Sequence, residues 1–69
     1  MTRVEIASLV REARELDSDV IIEPDEDWDS LDHLKVMDLL TERYPLMVER
    51  IDLSEANSLA RLEALLGDA

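Results

Sequence analysis

The chain has 69 residues, of which 46% are hydrophobic, and its 18 acidic and 7 basic residues give a formal net charge of −11. A chain this short is expected to form one domain over residues 1–69, since it cannot bury both a stable core and a deep catalytic cleft. The charge disfavours nucleic acid as a ligand and predicts a monomer, and the absence of cysteine excludes disulfides and thiolate metal sites.

The first predicted element is an amphipathic helix over residues 3–16. Its apolar residues recur at steps of three and four and are separated by charged ones: Ile6, Leu9, Val10, Ala13 and Leu16. The helix is expected to stop at Asp17, Ser18 and Asp19, because their short polar side chains compete for backbone hydrogen bonds.

A long connection over residues 17–29 follows. It contains the apolar run from Val20 to Ile22, and we expect Ile22 or its neighbour to fold back over the core. A short strand is the alternative, but no partner strand is evident, and an unpaired strand is not stable by itself.

The second long helix is predicted to begin at Asp29, whose side chain can accept hydrogen bonds from the free N–H groups of the first turn. Asp32 adds negative charge near the positive end of the helix dipole. Pro45 is expected to stop the helix. The apolar residues predicted along one side are Leu31, Leu34, Met37, Leu40 and Tyr44.

Two further helices are predicted near the C-terminus. The spacing of Asp52 and Glu55 is typical of a helix cap and predicts a short helix over residues 52–56. A last helix is expected to follow Asn57 and Ser58 and to end at Gly67, the only glycine. The predicted fold is therefore an all-α bundle of three main helices and one short helix, with a long first loop.

With Asp29-Ser30-Leu31 at the start of its second long helix, the chain resembles the acyl carrier protein family, which carries an Asp-Ser-Leu signature at this position. The resemblance extends over nearly the whole chain. It covers the first amphipathic helix, the long loop, the serine-bearing helix, a short third helix and a last helix entered through Asn57 and Ser58. It implies a small four-helix carrier fold.

The resemblance implies that a phosphopantetheinyl transferase attaches 4′-phosphopantetheine from coenzyme A to Ser30, and that acyl-loading and acyl-transferring enzymes then use the arm. It also implies that Asp29 helps to hold magnesium during attachment. The physics of a helix start agrees, because free N–H groups and the dipole there favour a phosphate. The resemblance thus implies a carrier for fatty-acid, polyketide or other biosynthesis. No base is evident beside Ser30, so the chain is not expected to be an enzyme.

The family's usual docking surface for partner enzymes is the second helix. The residues that inherit this role by position are Leu31, Asp32, Lys35, Asp38 and Glu42. Lys35 and Arg43 place positive charge where many members have acids, which argues against the usual partners of bulk fatty-acid synthesis.

Three other residues have two possible uses. Trp28 stands two residues before the serine, where many members have glycine, and is expected to pack over the loop and not to contact the arm. Met37 and Met47 could line a cavity for an acyl chain, since methionine adapts to irregular volumes. Plain core packing is the expected use of both.

Two rival functions follow from the same sequence. Asp25, Asp27 and Asp29 have the spacing that opens a calcium-binding loop, but Ser30 and Val36 replace the glycine and glutamate that such a loop requires, so no metal site is expected. The other rival is an unmodified helical adaptor that keeps the carrier fold. No apolar stretch approaches the roughly 18 residues of a membrane span, and the expected location is the cytoplasm.

Overall fold

The computed structural model describes residues 1–67, whose regular elements are all helices. These are α1, Arg3–Ala13; α2, Ser30–Arg43; α3, Pro45–Arg50; and α4, Leu59–Leu66. α1 packs against α2 and α4, while α3 packs against α2. The predicted all-α bundle is confirmed. None of the helices described is long and apolar enough to cross a membrane.

The core is one cluster of apolar side chains drawn from the helices and their connections. Its most deeply buried members are Ile6, Val10, Val36, Leu40 and Leu62. Ile22 and Trp28 of the first connection are buried as well, so this loop covers the bundle as predicted. Arg11 fixes the loop from α1, because its Nε donates to the carbonyl oxygen of Val20 at 2.7 Å.

The end of α1 lies earlier than the sequence predicts, at Ala13 and not at residue 16. Glu15 adopts the left-handed conformation with φ of 60°. Its N–H and that of Leu16 donate to carbonyl groups of the last helical turn at 3.2 and 2.8 Å, which is the Schellman arrangement. Helical periodicity does not reveal this turn, because Leu16 still packs against the core.

A glycine at this turn is expected to stabilise the fold. Left-handed backbone is unfavourable for residues with a side chain, so Glu15→Gly should raise the free energy of unfolding by about 0.5–1 kcal/mol after allowance for the greater freedom of glycine in the unfolded chain. The matched control is Ser8→Gly in the exposed middle of α1, which should lower it by about 0.5 kcal/mol. Thermal unfolding followed by circular dichroism measures both, and a loss of stability in Glu15→Gly would contradict the assignment.

The short third helix also differs from the prediction. It occupies Pro45–Arg50 and not residues 52–56, because proline suits the first position of a helix, where its missing N–H is not needed. The predicted segment is instead a turn in which the Ser54 N–H donates to Asp52 Oδ1 at 3.0 Å. Hydrogen bonds from the Ser54 side chain and N–H lower the pKa of the Asp52 carboxyl. Asp52 therefore caps a turn and not a helix.

The start of α4 is where the first loop is attached. The helix begins after Asn57 and Ser58 as predicted, and Ser58 is its cap, because its Oγ accepts from the Arg61 N–H at 3.2 Å. Two backbone hydrogen bonds then join the loop to this end of α4: Trp28 N–H donates to the Asn57 carbonyl at 2.6 Å, and Ala60 N–H donates to the Pro24 carbonyl at 2.9 Å. The loop therefore reaches α2 from a fixed position.

Candidate functional site

Ser30 is the first residue of α2, and its side chain is exposed. Asp29 precedes it in extended backbone and accepts from the Asp32 N–H through Oδ1 at 2.8 Å. The predicted helix start is thus confirmed. The N–H groups of Ser30 and Leu31 precede the first intrahelical hydrogen bond of α2, so they are available to an acceptor outside the helix. We call residues 29–32 the serine turn.

Trp28, the residue before the serine turn, is part of the core. Its side chain is only 5% exposed, which confirms the prediction that it packs in the loop. The Trp28 Nε1 is buried without a hydrogen-bond partner among residues 1–67. The guanidinium of Arg14 lies 5.8 Å from the centre of the indole ring, and Arg14 Nε donates to Asp32 Oδ2 at 3.2 Å.

Among residues 1–67 the one histidine, His33, does not reach the Ser30 hydroxyl through its Nδ1. His33 lies one turn further along α2, and its Nδ1 is buried without a partner among the residues that the structure describes. In the same part of the chain, no group of three or more His, Asp or Glu side chains is placed to bind a metal ion. The site can present a hydroxyl to an external base, and it contains no nucleophile–base pair of its own.

The predicted docking residues divide between two faces of α2. Leu31, Asp38 and Glu42 are exposed, and Leu31 is 60% exposed although it is apolar. Asp32 instead points to α1 through its ion pair with Arg14. Lys35 is half-buried. It lines a shallow depression between α1 and α2 together with the acidic residues Glu12, Asp38 and Glu42.

We call the exposed side of α2 that carries Leu31, Leu34, Asp38 and Glu42 the outward face. Leu34 is missing from the predicted docking residues. The sequence places Leu34 on the same side as Leu40, but Leu34 is 55% exposed whereas Leu40 is fully buried. Leu34 and Leu31 are neighbours on a helix surface because they are three positions apart, so together they form an apolar pair beside Ser30. The i, i+3 spacing of two leucines is the signal that could have identified it.

The other basic residue that departs from the family pattern lies away from the outward face of α2. Arg43 donates to the carboxylate of Glu12 in α1, and this ion pair raises the pKa of the guanidinium. The positive charge of Arg43 is therefore balanced within the bundle. Asp38 and Glu42 are exposed, and they line the same depression as Lys35, so this side of α2 carries two acidic charges and one basic charge.

Met37 and Met47 are both half-buried and pack against the core, which confirms core packing as their use. Met37 also lines an open depression of about 530 Å³ between α2 and residues 48–54. Its remaining lining combines apolar side chains with the charged side chains of Glu49, Arg50 and Asp52.

No family model matches the sequence, and no curated protein or solved structure is significantly similar to it.

Proposed function

We propose that the chain is an acyl carrier protein whose Ser30 bears 4′-phosphopantetheine. The observation that carries the proposal is an exposed serine, Ser30, at the first position of α2, directly after the aspartate that caps the helix. An Asp-Ser-Leu sequence at the start of the second long helix of a small acidic bundle is the pattern on which the resemblance to carriers rests. The acyl-carrier fold and the single carrier domain are part of this proposal.

Attachment would need an enzyme with its own base. In the proposed reaction the Ser30 Oγ forms a bond to the phosphorus next to pantetheine in coenzyme A. The phosphoanhydride bond breaks, adenosine 3′,5′-bisphosphate leaves, and the hydroxyl proton passes to a base of the transferase. Once bound, the arm supplies a thiol that holds acyl groups as thioesters. The carrier itself contributes a positioned hydroxyl and no catalytic group.

The residues around Ser30 fit a phosphodiester. The Ser30 and Leu31 N–H groups lie at the positive end of α2, where anions are favoured. The Asp29 carboxylate uses Oδ1 for the cap, which leaves Oδ2 to share a divalent cation with the transferase. Ser30 is an exposed residue, which suits modification by a separate enzyme.

The outward face of α2 suits docking to several enzymes in turn. Leu31 and Leu34 offer an apolar contact, and Asp38 and Glu42 lie further along the exposed side of the same helix. A partner with a basic surface around an apolar patch would complement them, and the net charge of −11 would speed its approach. The phosphopantetheinyl transferase and the acyl-transferring enzymes are the proposed partners, and the cytoplasm is the proposed location.

Incubation with a promiscuous phosphopantetheinyl transferase, magnesium and coenzyme A is the test. Intact-mass spectrometry should show the addition of one phosphopantetheinyl group to the wild type and none to Ser30→Ala. Asp29→Asn keeps a capping side chain and removes the carboxylate, so it should fold normally but react more slowly. If the wild type gains no mass, or Ser30→Ala gains as much, the carrier function is wrong and the unmodified adaptor replaces it.

A further inference from the structure

Arg14 joins three parts of the chain next to the serine turn. It follows the last residue of α1 as the C-cap, its Nε donates to Asp32 Oδ2 at 3.2 Å, and its guanidinium stacks 5.8 Å from the centre of the Trp28 ring. Its side chain is only 17% exposed. Solvent therefore screens this ion pair less than it screens an ordinary surface pair.

The serine turn carries two carboxylates close to Ser30 in the sequence. Asp29 and Asp32 flank Ser30, and Asp27 precedes them. A phosphodiester on Ser30 would add another negative charge, and like charges a few ångströms apart repel each other. Arg61 lies 3.8 Å from Asp27, but both side chains are more than half exposed, so this pair contributes little.

Resting on the proposed carrier function, we propose that Arg14 is a positioning residue that balances the charge of Asp32 and so lets the serine turn accept an anionic group at Ser30. Arg14 acts through Asp32, which it neutralises and holds toward α1. It does not touch the transferred phosphate.

Arg43 provides the matched control. It forms another α1 to α2 ion pair, with Glu12, near the other end of α2. Arg14→Gln and Arg43→Gln therefore remove the same charge and the same kind of contact. Arg43→Gln controls for the loss of one arginine charge and one ion pair at a more exposed position, and the double variant with Asp32→Asn separates charge balance from a purely structural role of Arg14 next to the serine turn.

The first measurement is the initial rate of Ser30 modification at limiting transferase. Arg14→Gln should be about tenfold slower than wild type, which corresponds to about 1.4 kcal/mol, whereas Arg43→Gln should stay within about twofold. Arg14→Gln/Asp32→Asn should recover to within about threefold of wild type, because the unbalanced carboxylate is gone. Equal slowing by both arginine variants, or no recovery in the double variant, would overturn the proposal.

The second measurement needs no transferase. Ser30→Glu places a negative charge on the serine turn, and it should lower the Tm by about 4 °C more in the Arg14→Gln background than in the wild type. Asp32→Asn should abolish this difference.

If the wild type is not modified but this coupling is present, the carrier function fails and the charge-balancing role stands. If the wild type is modified and both the coupling and the rate effect are absent, only the role of Arg14 fails. An unmodified wild type without the coupling defeats both.

Discussion

Replacing Trp28 with alanine is expected to lower the free energy of unfolding by about 3–5 kcal/mol, the usual cost of removing a large buried aromatic ring. Trp28 is 5% exposed, and it packs where the first loop meets the start of α2. Small domains have a total stability of only about 0.05–0.15 kcal/mol per residue. The variant is therefore expected to be largely unfolded at 37 °C.

Trp28→Phe is the matched control for this loss. It retains an aromatic ring and removes the Nε1, which is buried without a partner among residues 1–67. Removing an unsatisfied polar group offsets part of the lost packing. The free energy of unfolding of Trp28→Phe should therefore lie within about 1.5 kcal/mol of the wild-type value. Urea unfolding followed by circular dichroism is the suitable measurement, because both variants lack the only tryptophan. Equal losses in both variants would mean that the indole N–H has a partner or that the ring position is wrong.

Leu40→Ala is expected to lower the free energy of unfolding by about 2–5 kcal/mol, as for other fully buried leucines. Leu34→Ala removes the same atoms from the same helix, but Leu34 is 55% exposed whereas Leu40 is fully buried. The Leu34 variant should therefore differ from the wild type by no more than about 0.5 kcal/mol.

The comparison of these two leucines tests which side of α2 faces the core. Both variants can be measured by urea unfolding with Trp28 fluorescence as the signal. If Leu34→Ala were as destabilising as Leu40→Ala, the outward face assigned to Leu31 and Leu34 would be wrong. The proposed docking surface would then have to be abandoned, even if Ser30 were still modified.

Several features followed from local sequence alone. Asp29 starts α2 because a carboxylate at that position can satisfy an N–H group of the first turn, and Ser58 starts α4 for the same reason. Both interactions span three residues, so they depend little on the rest of the fold. The first position of α2, which is the placement of Ser30 on which the proposed function rests, was therefore predictable.

The bounds of the shorter elements were predicted less well, since competing local signals were present. Pro45 both ends α2 and begins α3, and the prediction used only the first of these properties. The Asp52 spacing suits either a helix cap or a turn. The turn formed at this position, and the short helix lies before it.

Only the tertiary structure decided which face of α2 is buried and which charges are balanced. α2 has apolar residues around most of its circumference, so periodicity allowed more than one inward face, and packing against α1 and α3 selected the face of Val36 and Leu40. The partnership of Arg14 with Asp32 joins residues 18 positions apart. Such a contact depends on how the helices pack and not on the spacing within either one, which is why the sequence assigned Asp32 to an exposed docking surface and left Arg14 without a role.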